Sequence, residues 1–539
     1  MKIKLITITL LIATALSACG TPSATRVPPT NTPTINPAST SATAPTHAPV
    51  APIVSTQSGQ VQGVVSNDIL AFKGIPYAAP PVGELRWRLP QPVVPWKDVY
   101  PADKFRSACI QPSGPLTVLP VPQSEDCLTL NVWTPGADPK VQHPVMVWIH
   151  GGGFSVGSGS EPAFDGQFLA KRGAVVVTLN YRLGPLGFFA HPALEAETPK
   201  GPVNFGLYDQ LAALQWVQKN ILAFGGDPQN VTVFGESAGS TSVMALFASP
   251  LARGLFQRGI VESYSLTGQS RDQAIANGIQ MSTALGLAGA QAIAADLRSV
   301  PAEKFPAIPI PGIDPVTGDS YLPQSIVTSF QHGTEAPVPL IIGNNSDEAS
   351  LFELAGIDPA AMPKKFEAAG IAIKDLYPGV TKDSELGRYV LRDAFFITST
   401  RLLARQHAQR ALTWQYYFSY LPVKQRSTML GVMHGGEIPF VFGTGEQVSP
   451  YKEIFMPEDT AMSQRVMSYW YAFAATGKPE PASEPAWPVT DAQHDQTMIF
   501  GETISAQADF MGKQVQAYLV VLNELLKNNV NFWVVVFSP

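Results

Sequence analysis

The chain has 539 residues, a formal net charge of −6, 45% hydrophobic residues and 14% charged ones. That is long and apolar enough for a large core, which excludes a disordered chain. No block of like charge occurs, so the basic face that nucleic-acid binding requires is missing. Length alone would allow three or four domains, but 49 prolines among few charges point to long ordered loops over one large body.

Lys2 and Lys4 open the chain, and an uncharged apolar run follows from Leu5 to Leu16. It is too short to span a bilayer and fits the hydrophobic part of a signal peptide, residues 1–18. The run leads into Leu16-Ser17-Ala18-Cys19-Gly20, which is similar to a bacterial lipobox. Cleavage before Cys19 would leave a thiol for lipidation; a plain secretory signal is the alternative. Of residues 21–50, 23 are Pro, Thr, Ser or Ala, without apolar period. Residues 19–52 therefore read as a solvated tether, and folding starts near Ile53. The expected location is the cell envelope, anchored at Cys19, or outside the cell if Cys19 is unmodified.

Residues 60 to 135 are rich in Pro and Gly with short β-like pieces, as for a leading antiparallel edge. Cys109 and Cys127 are the remaining cysteines. Export favours a disulfide between them; two buried free thiols are the alternative. No Cys/His cluster has metal-ligand spacing, so no metal is expected.

Five apolar runs then read as strands buried on both faces: 145–149, 174–180, 231–234, 339–343 and 414–420. Between them, Leu207, Leu211, Leu214, Val217 and Ile221 recur at helical spacing, with Trp216 extending the face. Strands alternating with helices imply an α/β fold with a large, mostly parallel central sheet flanked by helices.

His150-Gly-Gly-Gly-Phe154 follows the strand 145–149. Consecutive glycines let backbone N–H groups turn towards one point, as an oxyanion hole requires. Two segments match Gly-x-Ser-x-Gly: Gly153 to Gly157 around Ser155, and Gly235 to Gly239 around Ser237. A nucleophile elbow must follow a strand and open a helix. Ser237 follows Val231-Thr-Val-Phe234 and precedes a small, apolar helical stretch, 238–248. Ser155 runs into Gly157, Ser158, Gly159 and Ser160, which is loop chemistry. Ser237 is the candidate nucleophile and Ser155 the decoy.

Together these stretches resemble type-B carboxylesterases, the branch of the α/β-hydrolase fold that includes the cholinesterases. The likeness covers nearly all of residues 53–539. It is carried by Phe72-Lys-Gly-Ile-Pro-Tyr-Ala78, Glu125-Asp-Cys-Leu-Thr-Leu-Asn131, the Gly triplet, Asn180-Tyr-Arg-Leu-Gly184 and Asn204-Phe-Gly-Leu-Tyr-Asp-Gln210. Phe224-Gly-Gly-Asp-Pro228 then leads into the elbow. The resemblance implies oxyanion donors at Gly152, Gly153 and Ala238. It implies a triad in the order Ser, acid, His. Gly431-Val-Met-His434-Gly-Gly-Glu-Ile-Pro-Phe440 resembles the family's His loop, so His434 is the expected base. His407, in a helix-like run, and His332 and His494, in polar stretches, are expected at the surface. The family's acid falls on Glu348, with its neighbour Asp347 as the competing choice. Glu236 fits a buried structural partner and Asp209 a helix-start role.

The implied activity is hydrolysis of small carboxylic esters through an acyl-enzyme, without metal or cofactor. No nucleic-acid partner is implied, and membrane contact only through Cys19; the oligomeric state is not legible. A non-catalytic binding module on the same fold is the rival reading, but all three triad positions are filled. A peptidase or amidase is the third reading. Three departures stand out. Glu262-Ser263-Tyr264 replaces the usual Gln-Ser-Gly, with Ser263 keeping a hydroxyl. The family's second disulfide has no cysteines, and the tail from about residue 505 has no match. In the cholinesterase branch a key Trp lies in the loop closed by the first disulfide. Residues 110–126 hold no aromatic residue, which implies a neutral ester rather than a choline ester.

Overall fold

The computed structural model describes residues 51–113, 119–308, 313–368, 370–491 and 493–527. The expected signal peptide, Cys19 and nearly all of the expected tether lie outside the described residues, as does the end of the tail from 528. An eleven-stranded sheet runs through the body. Its strands are β1 (Val64–Ser66), β2 (Ile69–Pro76), β3 (Thr129–Thr134), β4 (His143–Ile149), β5 (Val175–Leu179) and β6 (Gly226–Glu236). They continue with β7 (Arg258–Glu262), β8 (Leu340–Asn345), β9 (Thr413–Phe418), β10 (Gln496–Phe500) and β11 (Ile504–Ala508). The order across the sheet is β11-β10-β9-β8-β7-β6-β4-β5-β3-β2-β1.

From β5 through β4 and β6 to β10 neighbouring strands are parallel. β1, β2 and β3 join antiparallel at one edge and β11 at the other. The five apolar runs all lie in strands of this sheet, and the antiparallel leading edge is present. β7 and β10 are too short and too mixed in polarity to stand out as runs, and their pairing rests on their neighbours.

Strand alternation explains why the runs had to be apolar throughout. Val145, Val147 and Ile149 of β4 face a core shared with Val231 and Val233 of β6. Helices α1 (Phe205–Asn220) and α2 (Ala238–Ala248) cover that face through Leu207, Leu214, Val243 and Met244. Met146 and Trp148 face the opposite core, with Phe234 and Ile260. There α3 (Pro457–Thr476) lays down Val466, Met467, Trp470 and Phe473. Every β4 residue from Pro144 to Ile149 is buried. Each such aliphatic side chain contributes roughly 1.5–3 kcal/mol when buried, so a polar residue on either face would be costly.

Asp209 does not cap a helix. It sits buried within α1 and accepts two side-chain bonds from Arg182, Nε at 2.8 Å and Nη2 at 2.7 Å. The Arg182 backbone N–H donates to it as well, at 3.0 Å. Cys109 and Cys127 form a disulfide with Cα atoms 5.0 Å apart. The described part of the tail builds β11 and a last helix, α4 (Gly512–Lys527), which packs by Val515, Tyr518, Leu519 and Leu522.

The chain leaves β4 towards β5 on one side, then returns to β6 and proceeds to β10 on the other. The order therefore reverses between β4 and β6. In open α/β sheets that reversal opens a crevice at the carboxyl ends of the strands, where ligands bind. The Gly triplet follows β4 and Ser237 follows β6.

Candidate active site

Ser237 follows β6 and opens α2 with φ 57° and ψ −122°. A non-glycine residue held there costs of order 1–3 kcal/mol. The strain is held by the Ser237 N–H, which donates to the Glu262 carbonyl at 2.9 Å, and by the Ser240 hydroxyl and Thr241 N–H, which donate to the Ser237 carbonyl at 2.6 and 3.0 Å. The turn also needs close backbone approach. A Cβ at Gly239 would run into the Ile149 carbonyl oxygen at the end of β4. Ser237 is half-buried while its flanking residues Glu236 and Ala238 are buried.

The Gly loop reaches this elbow from β4. A Cβ at Gly151 would stand 3.1 Å from the Ser237 Cβ. Gly152 and Gly153 have φ of 97° and 58°, and no atom lies within 4 Å of a Cβ built on Gly153. The loop is fixed from behind by His150, whose ring stacks on Tyr181 at 4.4 Å while the Tyr181 hydroxyl donates to the His150 carbonyl at 2.9 Å. Burial pulls the His150 imidazole down to about 4, so it is neutral, with Nδ1 donating to the Gly151 carbonyl at 2.9 Å. Ser155 lies in the turn beyond, its hydroxyl donating to the Gly153 carbonyl at 3.1 Å, with no helix after it.

Glu348 stands in the loop after β8 and is fully buried. Its Oε1 accepts from the Ser263 hydroxyl and the Asn345 N–H, both at 2.6 Å. Its Oε2 lies 2.6 Å from His434 Nδ1. Asp347 turns the other way: Arg388 donates to it through Nε at 3.1 Å and also through Nη2. The His loop is laid beside the acid loop by the Asp347 N–H, which donates to the Val432 carbonyl at 2.8 Å, and by Asn345 Nδ2, which donates to the Met433 carbonyl at 2.9 Å. His434 Nε2 faces Glu236 Oε1 at 3.1 Å, and its ring lies 5.3 Å from that of Phe396.

Burial pulls the His434 imidazole down, but the flanking Glu236 and Glu348 carboxylates more than reverse this and raise it to about 9. Glu236 is pushed up to about 7, by burial first and despite His434. Two carboxylates thus hold one imidazole from its two nitrogens, which favours its charged form.

His407 is a correction. It is fully buried at the end of a helix over Thr398–His407, with Nδ1 3.1 Å from Glu335 Oε1 and Nε2 2.8 Å from the Val338 carbonyl. His332 and His494 are exposed. Three residues around the site receive no role from the sequence, although Glu262 stands there as a departure and Glu437 within the His loop. Phe396 lies on a π-helical turn, Arg392–Ile397, for which the sequence carries no local signal. Glu262 and Glu437 are fully buried carboxylates. Each stands among apolar and small residues in strand or loop motifs, and that contrast was the available sign.

A cavity of about 180 Å³ opens beside the Gly loop, lined by Ser155, Gln111 and a largely aliphatic wall that includes Ile110, Leu186, Phe305 and Ile308. A larger one, about 450 Å³, lies between Trp87, Phe205 and Arg271, and none of Ser237, Glu348 and His434 lines either cavity.

With this geometry in hand, comparison with known proteins is decisive. The carboxylesterase family model matches residues 50–386 and 381–519. The chain belongs to the carboxylesterase family. The match takes in β11 and the first half of the last helix, so the tail is of the family to 519 and not from about 505 foreign to it. The chain is 38% identical over 486 residues to the para-nitrobenzyl esterase of Bacillus subtilis, covering 85% of this chain and 96% of that one. It is 34% identical over 515 residues to the cholinesterase of Mus musculus, covering 81% of each. A solved PNB esterase structure superposes with a TM-score of 0.76 at 35% identity, over 86% of this chain and 99% of that one. The chain is thus a carboxylic ester hydrolase with the α/β-hydrolase fold.

Replacing Glu348 by Gln removes one of the two charges that raise His434. An NMR titration should find the imidazole lowered from about 9 in Glu348→Gln and little changed in Asp347→Asn. A larger drop in Asp347→Asn would contradict the arrangement.

Proposed function

We propose that the esterase works through an acyl-enzyme formed on Ser237. His434 takes the Ser237 hydroxyl proton as Oγ bonds to the ester carbonyl carbon, and returns it to the departing alcohol. Glu348 orients the ring and stabilises the imidazolium. The backbone N–H groups of Gly152, Gly153 and Ala238 receive the negative oxygen. Water then repeats the cycle on the acyl group. The observation that carries this reading is the convergence at the β4/β6 reversal. A strained serine there meets an open Gly loop, and the imidazole of His434, 2.6 Å from the fully buried Glu348, reaches that point at Glu236, the residue before Ser237, 3.1 Å from its Nε2.

We propose uncharged, apolar esters as substrates. Two observations support this: residues 110–126 hold no aromatic side chain, and among the described residues no ionisable group lines the cavity beside the Gly loop. Phe305 there already meets the Arg86 guanidinium at 5.4 Å and the Trp87 ring at 5.6 Å. A quaternary ammonium gains up to about 2 kcal/mol over a free, desolvated ring. We further propose that Cys19 is lipidated and that residues 20–52 tether the enzyme to a membrane. The support is the sequence alone.

Three outcomes test these proposals. Ser237→Ala should abolish ester turnover, while Ser155→Ala keeps most of it; the opposite pattern would move the nucleophile to the Gly loop. A choline ester should show no advantage in kcat/KM over its isosteric neutral ester, and a clear preference for choline would overturn the substrate class. Cys19→Ser should release the protein from membranes and remove a lipid-sized mass from the N-terminal peptide. An unmodified Cys19 in the mature protein would end the lipoprotein reading.

A further inference from the structure

Glu236, Glu262, Glu348 and Glu437 gather around one end of the sheet. Glu236 is 6% exposed and the other three are fully buried. Among these four and the groups they contact, His434 is the one side chain able to carry positive charge. Four ionised carboxylates around one imidazolium in a buried site would be strongly unfavourable. Some of the four must hold a proton.

The surroundings of Glu262 single it out. It ends β7, with Glu236 of β6 as its register partner on one side and Gly343 of β8 on the other. Gly343 brings no side chain, and Glu236 brings a charge of the same sign. From the helix over Pro457–Thr476, Trp470 Nε1 donates to Glu262 Oε1 at 2.8 Å, while Oε2 has no partner. Tyr416 of β9 and Glu437 are the remaining titratable groups that sense it, and the Tyr416 hydroxyl is buried without a partner. Ionised, Glu262 would have one neutral donor and no cation. Glu348, by contrast, has two donors and His434.

We propose that Glu262 is a neutral carboxylic acid at neutral pH, a positioning residue that acts through Glu236 to set the proton affinity of His434. It keeps one negative charge out of the cluster, so that the imidazole can give up its proton and serve as base. Burial, the largest influence on it, pushes the Glu262 carboxyl up to about 8, in keeping with this role. The proposal rests on the reading of His434 as base.

The sign of its effect on stability follows. A carboxyl raised in the folded state keeps a proton that the unfolded chain releases. Its contribution therefore turns against folding as pH rises from the ordinary carboxylate range to about 8, and is constant above that. Glutamine is the neutral isostere of the acid form and can still accept from Trp470.

The test compares the native enzyme with Glu262→Gln and Glu262→Ala. Glu262→Gln should match the native Tm near pH 5 and exceed it increasingly up to pH 8. The His434 titration followed by NMR should move to lower pH by about half a unit, because His434 titrates near 9, above the point near 8 where native Glu262 ionises, and glutamine adds no charge there. The ascending limb of kcat/KM should move with it. Glu262→Ala should lower Tm at every pH, because Trp470 loses its acceptor. A Tm difference between Glu262→Gln and native enzyme that is flat with pH, or that falls as pH rises, would overturn the proposal. So would an unmoved His434 titration. If Tm and the His434 titration shift but the kcat/KM limb stays, the fault lies with His434 as base and not with Glu262.

Discussion

The carbonyl of Ile149 leaves no room for a side chain at residue 239. That close approach between the end of β4 and the start of the elbow helix holds the rest of the site together. It brings the Gly loop against Ser237, with a Cβ at Gly151 only 3.1 Å from the serine's own. It also forces the sharp turn that puts Ser237 at φ 57°. One of the bonds that sustain this strain runs to the Glu262 carbonyl at the end of β7, and the loop that carries Glu348 follows β8. Each neighbouring strand thus delivers one part, and parallel pairing keeps their carboxyl ends level.

Electrostatics adds a second layer. An imidazole held between Glu236 and Glu348 is biased towards its charged form, which suits the moment when it has accepted a proton. In the proposed cycle the same bias resists the neutral form that accepts the proton. A Glu262 kept neutral, as proposed, moderates the conflict. The buried acids are therefore a balance between stabilising an imidazolium and leaving a usable base, and they draw on folding stability to do so.

Much of this was legible in the chain because the relevant constraints are local. Apolar runs marked the central strands since both faces of those strands are covered. The elbow was readable because a strand, a Gly-x-Ser-x-Gly turn and a small-residue helix are contiguous, and the helix spans Ala238–Ala248 as the residues imply. The acid was harder. Asp347 and Glu348 are adjacent and chemically alike, and what separates them is Arg388, which takes Asp347 from 41 positions away. His407 went astray for the same reason. Its partners, Glu335 and the Val338 carbonyl, lie 72 and 69 positions upstream, and no helical pattern announces them. The carboxylate cluster was equally hidden, since Glu236, Glu262, Glu348 and Glu437 meet only once four segments are folded.

The central claim is that the β4/β6 reversal assembles a serine nucleophile and an oxyanion site around one point. A crystal structure of the enzyme inactivated by a fluorophosphonate measures this most directly. The account predicts phosphorus bonded to Ser237 Oγ, with the phosphoryl oxygen about 2.7–3.1 Å from the N–H groups of Gly152, Gly153 and Ala238. Phosphorus on another residue, or a phosphoryl oxygen turned away from those three donors, would contradict it.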